Sequence, residues 1–418
     1  MAQQLIQSIP FPPEIRAQDM ASFANYTFLH RVPHIIQQVI DDHQFEPKIK
    51  AALENLLADV LTQTILPLTE MGSESALIWQ HCVTPYLGRT WFEVPFFFAE
   101  MYLYRRILEA VGYFTLSDTQ GIDPFFHQKQ KGLASAIAQT HSIEQLCDRT
   151  APPRSFPLEN LKALLLANLW SNRADLSQLS GLFNPTTTCV EVEDSKFLLI
   201  NDLTTVVNYV SKFAPQMRRI DLILDNVGME LIADLALAEY FLRSDCANQV
   251  FLHCKQDPVF VSDATVKDVD LTIKALQAAD STLLNDWAQR LSTLIQVKQL
   301  VICDHAFWTL PFYFREMPES LQQDFSKSDL IISKGDANYR RLVDDRHWDF
   351  TTPIVDVVNY LPAPCLALRV LKCEVLVGIN AEKLNTLHQE DNWMINGDYA
   401  LIQFVTSTSK RFRTCNTA

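Results

Sequence analysis

The spacing of apolar residues changes part-way along the chain. In the first third they recur at helical intervals, and this pattern predicts helices over Lys48–Met71, Pro95–Val111 and Leu158–Trp170. The proline-rich stretch Ala151–Pro157 is the best candidate for a linker. We therefore predict a mostly helical N-terminal domain over residues 1–180.

Beyond that point, short apolar runs alternate with segments of helix length. Runs that are apolar on both faces are typical of a parallel sheet covered by helices on each side. The helix-length connections favour right-handed crossovers and a doubly wound α/β sheet over residues 181–418. The predicted strands are Lys196–Ile200, Ile220–Leu224, Gln249–His253, Gln299–Cys303, Leu330–Ser333 and Cys365–Gly378.

Charge and cysteine content narrow the class of protein. The net charge of −14 argues against nucleic acid or an anionic membrane as a partner, because both bind basic surfaces. The nine cysteines include no C-x-x-C pair, so a zinc site has little support and a reduced intracellular protein is favoured. The N-terminal residues do not resemble a signal peptide, and no apolar run is long enough to span a bilayer. We expect a cytoplasmic protein that binds neither nucleic acid nor membranes.

Polar residues follow the predicted strand Ile220–Leu224 directly. Ligands of open α/β sheets bind at the carboxyl ends of the strands, so such residues are candidates for a site. Asp225 and Asn226 offer hard oxygen ligands that suit Mg²⁺ or Mn²⁺, and Asp263 could add a carboxylate from the next strand. The same residue types also cap helices and close turns, so an ordinary structural role stays open for all three.

A second candidate group follows the strand that begins at Leu330. Lys334, Arg340 and Arg341 concentrate positive charge in a short stretch, and such side chains hold phosphate oxygens. Asp336 and Asn338 lie between them and can form hydrogen bonds with sugar hydroxyl groups. The alternative interpretation is a solvated basic loop.

Three further polar sites along the chain have a less certain role. Lys372 lies within an apolar run, where an unpaired charge is costly, so we expect it to have a partner. We interpret His253 as a core histidine and Asp304-His305 as scaffold.

The chain contains no P-loop, G-x-G-x-x-G, H-E-x-x-H or G-x-S-x-G motif. It also lacks the second acid that haloacid-type phosphatases place two residues after the first, because Val227 stands there.

Several segments, taken together and in order, resemble the damage-control phosphatases. They are most similar to the subfamily that hydrolyses sugar phosphates and bears an Arg-Thr-x-Lys motif. In this chain that motif reads Arg369-Val370-Leu371-Lys372, with valine in place of threonine, a change that could alter substrate preference. The other matching segments are Arg89-Thr-Trp-Phe-Glu-Val-Pro-Phe-Phe-Phe-Ala-Glu100, Tyr104-Arg-Arg-Ile-Leu108, Leu169-Trp-x-Asn-Arg-x-Asp-Leu-Ser177, Asp225-Asn-x-Gly-x-Glu230, Val261-Ser-Asp263 and Lys334-Gly-Asp-x-Asn-Tyr-Arg-Arg341.

The resemblance implies a Rossmann-like three-layer α/β/α sandwich with a helical N-terminal domain. It also implies hydrolysis of phosphate esters such as fructose 1-phosphate with a divalent metal (Mn²⁺, Mg²⁺, Co²⁺ or Ni²⁺). Asp225, Asn226 and Asp263 match the family's metal ligands, and Lys372 matches the lysine of its motif. The positions to which the resemblance gives substrate or ligand contacts are Lys334, Asp336, Asn338, Tyr339, Arg340, Glu230 and Arg89.

The sequence thus yields a hypothesis of phosphoryl transfer from a sugar phosphate to water. Lys372, with Arg340 or Lys334, would neutralise charge on the transferred group, while Asp263 and Glu230 both stay open as the general base. Besides the phosphatase, two further functions of other classes remain as the second and third hypotheses. Relatives of the family have been described as S-adenosylmethionine-dependent protein-glutamate O-methyltransferases, although the first strand here lacks a following Gly-rich loop. The third is a catalytically silent sugar-phosphate-binding protein.

Overall fold

A computed structural model of the chain describes residues 10–62, 64–70, 74–150, 157–171, 196–387 and 390–406. The boundary predicted near residue 180 lies outside these ranges, as does most of the predicted linker. The division of the chain at that point therefore stays a prediction.

A single mixed sheet forms the centre of the described structure. Its strands are β1 (Leu198–Asn201), β2 (Arg219–Ile223), β3 (Gln249–Lys255), β4 (Leu300–His305), β5 (Leu330–Lys334), β6 (Cys365–Val370) and β7 (Ala400–Val405). They lie in the order β1-β7-β6-β5-β2-β3-β4. β6, β5, β2, β3 and β4 are parallel to one another, whereas β7 is antiparallel to β6 and pairs in parallel with β1.

Most of the remaining described chain is helical. The helices before the sheet are α1 (Phe23–Tyr26), α2 (Val32–Asp42), α3 (Pro47–Thr62), α4 (Glu74–Val83), α5 (Phe96–Ala110), α6 (Phe126–Ile137), α7 (Thr140–Thr150) and α8 (Leu158–Trp170). Those that follow are α9 (Leu203–Phe213), α10 (Met229–Arg243), α11 (Val266–Gln277), α12 (Thr282–Gln296), α13 (Glu319–Phe325), α14 (Asp336–Leu342), α15 (Ile354–Val357) and α16 (Ala381–Leu387). None of the helices in the described ranges has both the length and the apolar character needed to cross a membrane.

Helices cover both faces of the sheet. On one face, side chains of α2, α3 and α5 share a core with Ile223 of β2 and Ile331 of β5. On the other face, α7, α8, α10 and α12 pack against Ile220 and Leu222 of β2. The central strands are buried on both sides, which is why their sequences are mostly apolar. The predicted α/β sandwich is confirmed.

Some predicted elements have the wrong extent. The predicted helix Lys48–Met71 is longer than α3, and the predicted strand Cys365–Gly378 is longer than β6. In both cases apolar residues continue after the element ends, because the irregular segment that follows also packs into the core, as Ile65 and Val375 do. β7 was not predicted, and with β1 it makes the sheet mixed rather than wholly parallel.

The strand order places a topological switch between β2 and β5. From β2 the chain adds β3 and then β4 on one side, and β5 and then β6 lie on the other side of β2. Adjacent connections at such a point leave opposite faces of the sheet, so a crevice forms at the carboxyl ends of the two strands. The polar segments singled out by the sequence follow β2, β3, β5 and β6, the four strands around this crevice.

Candidate active site at the carboxyl edge of the sheet

The first component of the site follows β2. Asp225 is buried there, and Asn226 donates from Nδ2 to Asp225 Oδ2 (2.7 Å) and to Glu230 Oε2 (3.0 Å). Gly228 precedes α10 at a φ of +80°, a conformation that favours glycine and lets the chain turn directly into the helix. Glu230 therefore lies in the first turn of α10, where a carboxylate interacts favourably with the helix dipole.

The second component is the loop after β3. The amide of Val227 donates to Ser262 O, and the amide of Ala264 donates to Asp225 O, both at 2.8 Å. These two bonds hold Asp263 beside Asn226, to which it is paired in a backbone bridge. Asp263 is buried, and its Oδ2 lies 3.3 Å from Lys255 Nζ at the end of β3. Within the described residues this oxygen accepts no well-aligned hydrogen bond.

The third component follows β5 and packs directly against the first. Lys334 lies 2.8 Å from Asp234 and 3.5 Å from Glu230, both on α10. Asn338 donates to the carbonyl groups of Leu224 (3.0 Å) and Lys334 (2.8 Å) and accepts from Lys255 Nζ at 3.0 Å. Asn338 thus joins the ends of β2, β3 and β5 through its single amide group.

The fourth component is the end of β6. The backbone amide of Lys372 donates to Asp336 Oδ1 at 3.0 Å, and Arg369 Nε donates to the same oxygen at 2.8 Å. The Lys372 side chain is half-buried, whereas Lys255 and Lys334 are buried. Its charge lowers the pKa of Asp225, but among the described residues Lys372 has no ion-pair partner of the kind expected from the sequence.

The electrostatics of the site are dominated by buried carboxylates. Burial raises the pKa of Asp225 well above its usual value, and the charges of Glu230 and Asp263 raise it further. Burial also raises the pKa of Asp263 to about 6, although Lys255 and Lys129 act in the opposite direction. Carboxylates that repel one another in a buried place are stabilised by a nearby cation. The site therefore favours the binding of positive charge between Asp225 and Asp263.

The donor set fits a hard divalent cation. Among the described residues, no three His, Cys, Asp or Glu side chains have the arrangement of a metal site. The oxygen of the Asn226 amide, which here accepts from Ser262 Oγ at 2.5 Å, would have to turn towards the cation to complete the ligands. Two carboxylates and an amide are ligands that Mg²⁺ or Mn²⁺ accepts, because these ions prefer oxygen and retain water. Asp263 Oδ2 is buried and accepts no well-aligned hydrogen bond among the described residues, and Lys255 Nζ at 3.3 Å offsets only part of its charge, so a bound cation would stabilise it further.

Not every predicted residue lies in this cluster. Arg340 is buried between Glu100 (2.6 Å) and Asp345 (2.8 Å), and Tyr339 donates to Gln403 Oε1 at 3.0 Å. The contacts of both side chains point to a role in packing the segment after β5. Arg89 is exposed, and its backbone pairs with Ile65 and Tyr86 in a turn of the helical part. Substrate contact by these three residues stays a prediction.

Lys255 was not among the predicted site residues, yet it contacts both Asp263 and Asn338. The sequence carried the same signal here as at Lys372, a lysine at the end of an apolar strand. Asp234, the partner of Lys334, gave no comparable signal, because it lies in the middle of an apolar helix and is recognisable only through the contact itself.

Comparison with known proteins identifies the family. A family model described as the damage-control phosphatase ARMT1-like domain matches residues 27–387. The chain belongs to this family. The match includes every residue of the four components described above, so the resemblance deduced from the motifs is confirmed. The part of the predicted motif Leu169–Ser177 that follows Ser171 lies outside the described residues.

Members of the damage-control phosphatase family match this chain over almost its whole length. The Damage-control phosphatase ARMT1 of Xenopus tropicalis is 33% identical over 444 residues, which cover 95% of this chain and 99% of that protein. The Homo sapiens protein of the same name is 30% identical over 440 residues, which cover 94% and 98%. The crystal structure of a DUF89 family protein from Pyrococcus horikoshii is similar in fold, with a TM-score of 0.50 and 14% identity over 93% of this chain and 99% of that one.

Proposed function

We propose that this protein is a divalent-metal-dependent phosphatase of small phosphorylated metabolites, with sugar phosphates such as fructose 1-phosphate as the substrate class. The observation that carries the proposal is the buried pair Asp225 and Asp263, which lies at the switch point of the sheet with lysines on both sides. Membership of a family whose curated relatives are named phosphatases supports the same reaction class.

In this proposal Asp225, Asn226 and Asp263 hold the cation. When bound, a divalent ion supplies positive charge opposite the transferred phosphoryl group and lowers the pKa of a water molecule. Lys255 offsets part of the charge of Asp263 and fixes its position through Asn338. Glu230 accepts a hydrogen bond from Asn226, so it sets the orientation of that amide.

Lys372 is the residue we assign to the phosphate group. Lys255 and Lys334 are buried and already bonded to side chains of the site, whereas the Lys372 side chain is half-buried and can contact an incoming anion. A fixed ammonium group at this place stabilises charge that develops as the ester bond breaks. Asp336, held by Arg369 and by the Lys372 backbone, is positioned to accept a hydrogen bond from a sugar hydroxyl group.

The test is phosphate release from a panel of sugar phosphates with Mn²⁺, Mg²⁺, Co²⁺, Ni²⁺ or EDTA. We expect release that requires a metal and falls by about a hundredfold to a thousandfold in Asp225→Ala, because loss of one group that stabilises the charge of the transition state commonly costs this much. Asp304→Ala is the matched control, since Asp304 also ends a strand at this edge but lies exposed on β4. It should retain normal activity.

The other outcomes separate the alternatives. No phosphate release from any substrate, combined with thermal stabilisation by a sugar phosphate, would indicate a silent binding protein. Binding of labelled S-adenosylmethionine in the absence of phosphate release would instead favour the methyltransferase. Near-normal turnover by the Asp225→Ala protein would refute the assignment of the cation site.

A further inference from the structure

Helix α5 contacts segments on both sides of the candidate site. Glu100, in its second turn, binds Arg340 of α14, which follows β5. Tyr104 lies one helical turn further along, and its ring packs against Phe260 in the loop after β3, with 5.3 Å between the ring centroids. β5 and β3 are the two neighbours of β2, the strand that leads into Asp225. One face of α5 therefore lies next to the crevice.

Tyr104 is the one buried tyrosine of the described residues whose hydroxyl group has no hydrogen-bond partner. Its side chain is only 3% exposed, and no described residue donates to or accepts from its hydroxyl group. The other four buried tyrosines each donate to an oxygen atom of the protein: Tyr102 to Leu66 O, Tyr240 to Pro157 O, Tyr339 to Gln403 Oε1 and Tyr399 to Glu390 Oε2. An unpaired hydroxyl group in a buried place is costly, so we expect a partner from outside the chain.

The Tyr104 side chain is enclosed by aromatic rings but open to solvent at its tip. Its ring contacts that of Phe125, with 5.7 Å between the centroids, as well as that of Phe260, and these contacts fix its orientation. The hydroxyl oxygen is not among the fully enclosed polar atoms that lack a partner, so solvent reaches it. A ligand that enters the crevice can therefore reach the same atom.

Tyr104 stays protonated and can act as a hydrogen-bond donor. Burial raises its pKa, and the negative charges of Glu100 and Asp263 raise it further, although the exposed Arg31 acts in the opposite direction. The hydroxyl group therefore keeps its proton at neutral pH. The action of Asp263 on it also places the hydroxyl group near a proposed metal ligand.

The cation that we assign to the phosphate group acts elsewhere in the site. Lys372 lowers the pKa of Asp225, but its charge is not among those that act on Tyr104. The phosphate group of a substrate bound to Lys372 would thus lie nearer the sheet, and the rest of the substrate would lie nearer α5. A sugar hydroxyl group accepts hydrogen bonds, so it fits the free donor of Tyr104.

We propose that the Tyr104 hydroxyl group donates a hydrogen bond to the sugar part of the substrate and so helps to select sugar phosphates. The inference rests on the proposed phosphatase function and adds to it a specificity-determining residue from the helical part of the chain. In this role Tyr104 stabilises the bound substrate and the transition state equally. Its loss therefore raises KM and leaves kcat nearly unchanged.

The test compares Tyr104→Phe with the wild type in metal-dependent phosphate release from the best sugar phosphate of the panel. Phenylalanine keeps the ring contacts with Phe125 and Phe260 and removes only the hydroxyl group. We expect KM to rise by about tenfold, the upper range for the loss of one neutral hydrogen bond. Product inhibition by inorganic phosphate, which has no sugar part, should be unchanged.

Tyr102→Phe is the matched control on the same helix. The Tyr102 hydroxyl group donates to Leu66 O at 2.6 Å, so this variant loses a hydrogen bond within the protein. It should lower the midpoint of urea unfolding and leave KM unchanged, whereas Tyr104→Phe should leave the unfolding midpoint unchanged. The two variants thus separate the loss of a structural bond from the loss of a substrate contact.

A KM of Tyr104→Phe equal to that of the wild type would overturn the inference and leave the phosphatase proposal in place. Inhibition by inorganic phosphate that weakens by the same factor as KM rises would also overturn it, because the whole site would then be disturbed. If the wild type releases no phosphate from any substrate, the phosphatase proposal fails, and calorimetric titration with fructose 1-phosphate decides the inference. Equal affinity of the two proteins, or binding by neither, would overturn it.

Discussion

At the scale of single residues, Gly335 decides how closely the ends of β5 and β2 approach. Its φ is +85°, and a Cβ atom built on it would lie 2.0 Å from Asp225 Oδ2 and 2.2 Å from Asp225 Cγ. No side chain fits at that distance, so the residue after β5 must be glycine if Asp225 is to keep its position. The proposed cation site thus depends on the absence of a Cβ atom at position 335.

Gly335→Ala should accordingly displace Asp225 and weaken cation binding. We expect the affinity for Mn²⁺, measured by calorimetric titration, to fall by at least about tenfold, as when the support of a metal ligand is lost. Gly121→Ala is the control, because Gly121 has a φ of +70° but nothing within 4 Å of its Cβ position. It should carry only the backbone strain of roughly 1–2 kcal/mol and leave Mn²⁺ binding unchanged. Wild-type affinity in Gly335→Ala would show that Asp225 does not hold the ion.

The sequence predicted which strand ends matter but not how their charges pair. Asp225, Asn226 and Asp263 come together because the carboxyl ends of adjacent parallel strands meet at one edge of a sheet. Arg340 was predicted to bind substrate, yet its charge is already matched by Glu100, a partner 240 positions away. Pairings over such separations depend on packing between helices and the sheet, which local patterns do not encode.

At the scale of elements, the apolar pattern located strands better than it delimited them. β2 and β5 lie within one residue of their predictions, because turn residues and charges bound them on both sides. The overlong predictions at α3 and β6 have the opposite cause, since buried irregular segments follow them. β7 lies between β1 and β6, and its antiparallel pairing with β6 could not be predicted from the alternation of strands and helices.

The loop between β3 and α11 is the element under most visible strain. Phe260 and Val261 have φ values of 51° and 67°, a region that non-glycine residues, and β-branched residues above all, rarely occupy. The Phe260 ring packs against Tyr104 of α5 with 5.3 Å between the ring centroids. The loop then presents Ser262 and Asp263 to Asn226. Packing against α5 thus holds a strained backbone that positions a proposed metal ligand.

The relative stability of two variants of Val261 should reveal this strain. Val261→Gly and Val261→Ala remove almost the same packing, but only glycine adopts a positive φ freely, so the glycine variant should be more stable by about 1 kcal/mol. At Lys274, inside α11, the order should reverse, with alanine more stable than glycine by a similar amount. Both pairs are measured by urea denaturation. Equal stability of the two Val261 variants would mean that the loop does not hold this conformation in solution.

At the scale of the whole molecule, the helices before the sheet are not a separate layer. α2, α3 and α5 contribute to the core on one face, and α7 and α8 contribute to the core on the other. Buried ion pairs reinforce both contacts. Glu100 of α5 binds Arg340 after β5 at 2.6 Å, and Lys129 of α6 binds Asp268 of α11 at 2.9 Å. The site therefore rests on a helical part that is continuous with the sheet.

This continuity predicts that the helical part and the sheet unfold together. Hydrogen exchange in increasing urea should show peptides from α5 and from β5 losing protection at the same urea concentration, because neither core is complete without both parts.

Glu100→Gln removes the charge opposite Arg340 and should lower the free energy of unfolding by about 2 kcal/mol, the usual range for a hydrogen bond to a charged group. Both peptides should shift by the same amount. Glu159→Gln, at a side chain that is 79% exposed, should shift neither. Loss of protection in α5 alone, at lower urea, would show that the helices form an independent unit despite the shared cores.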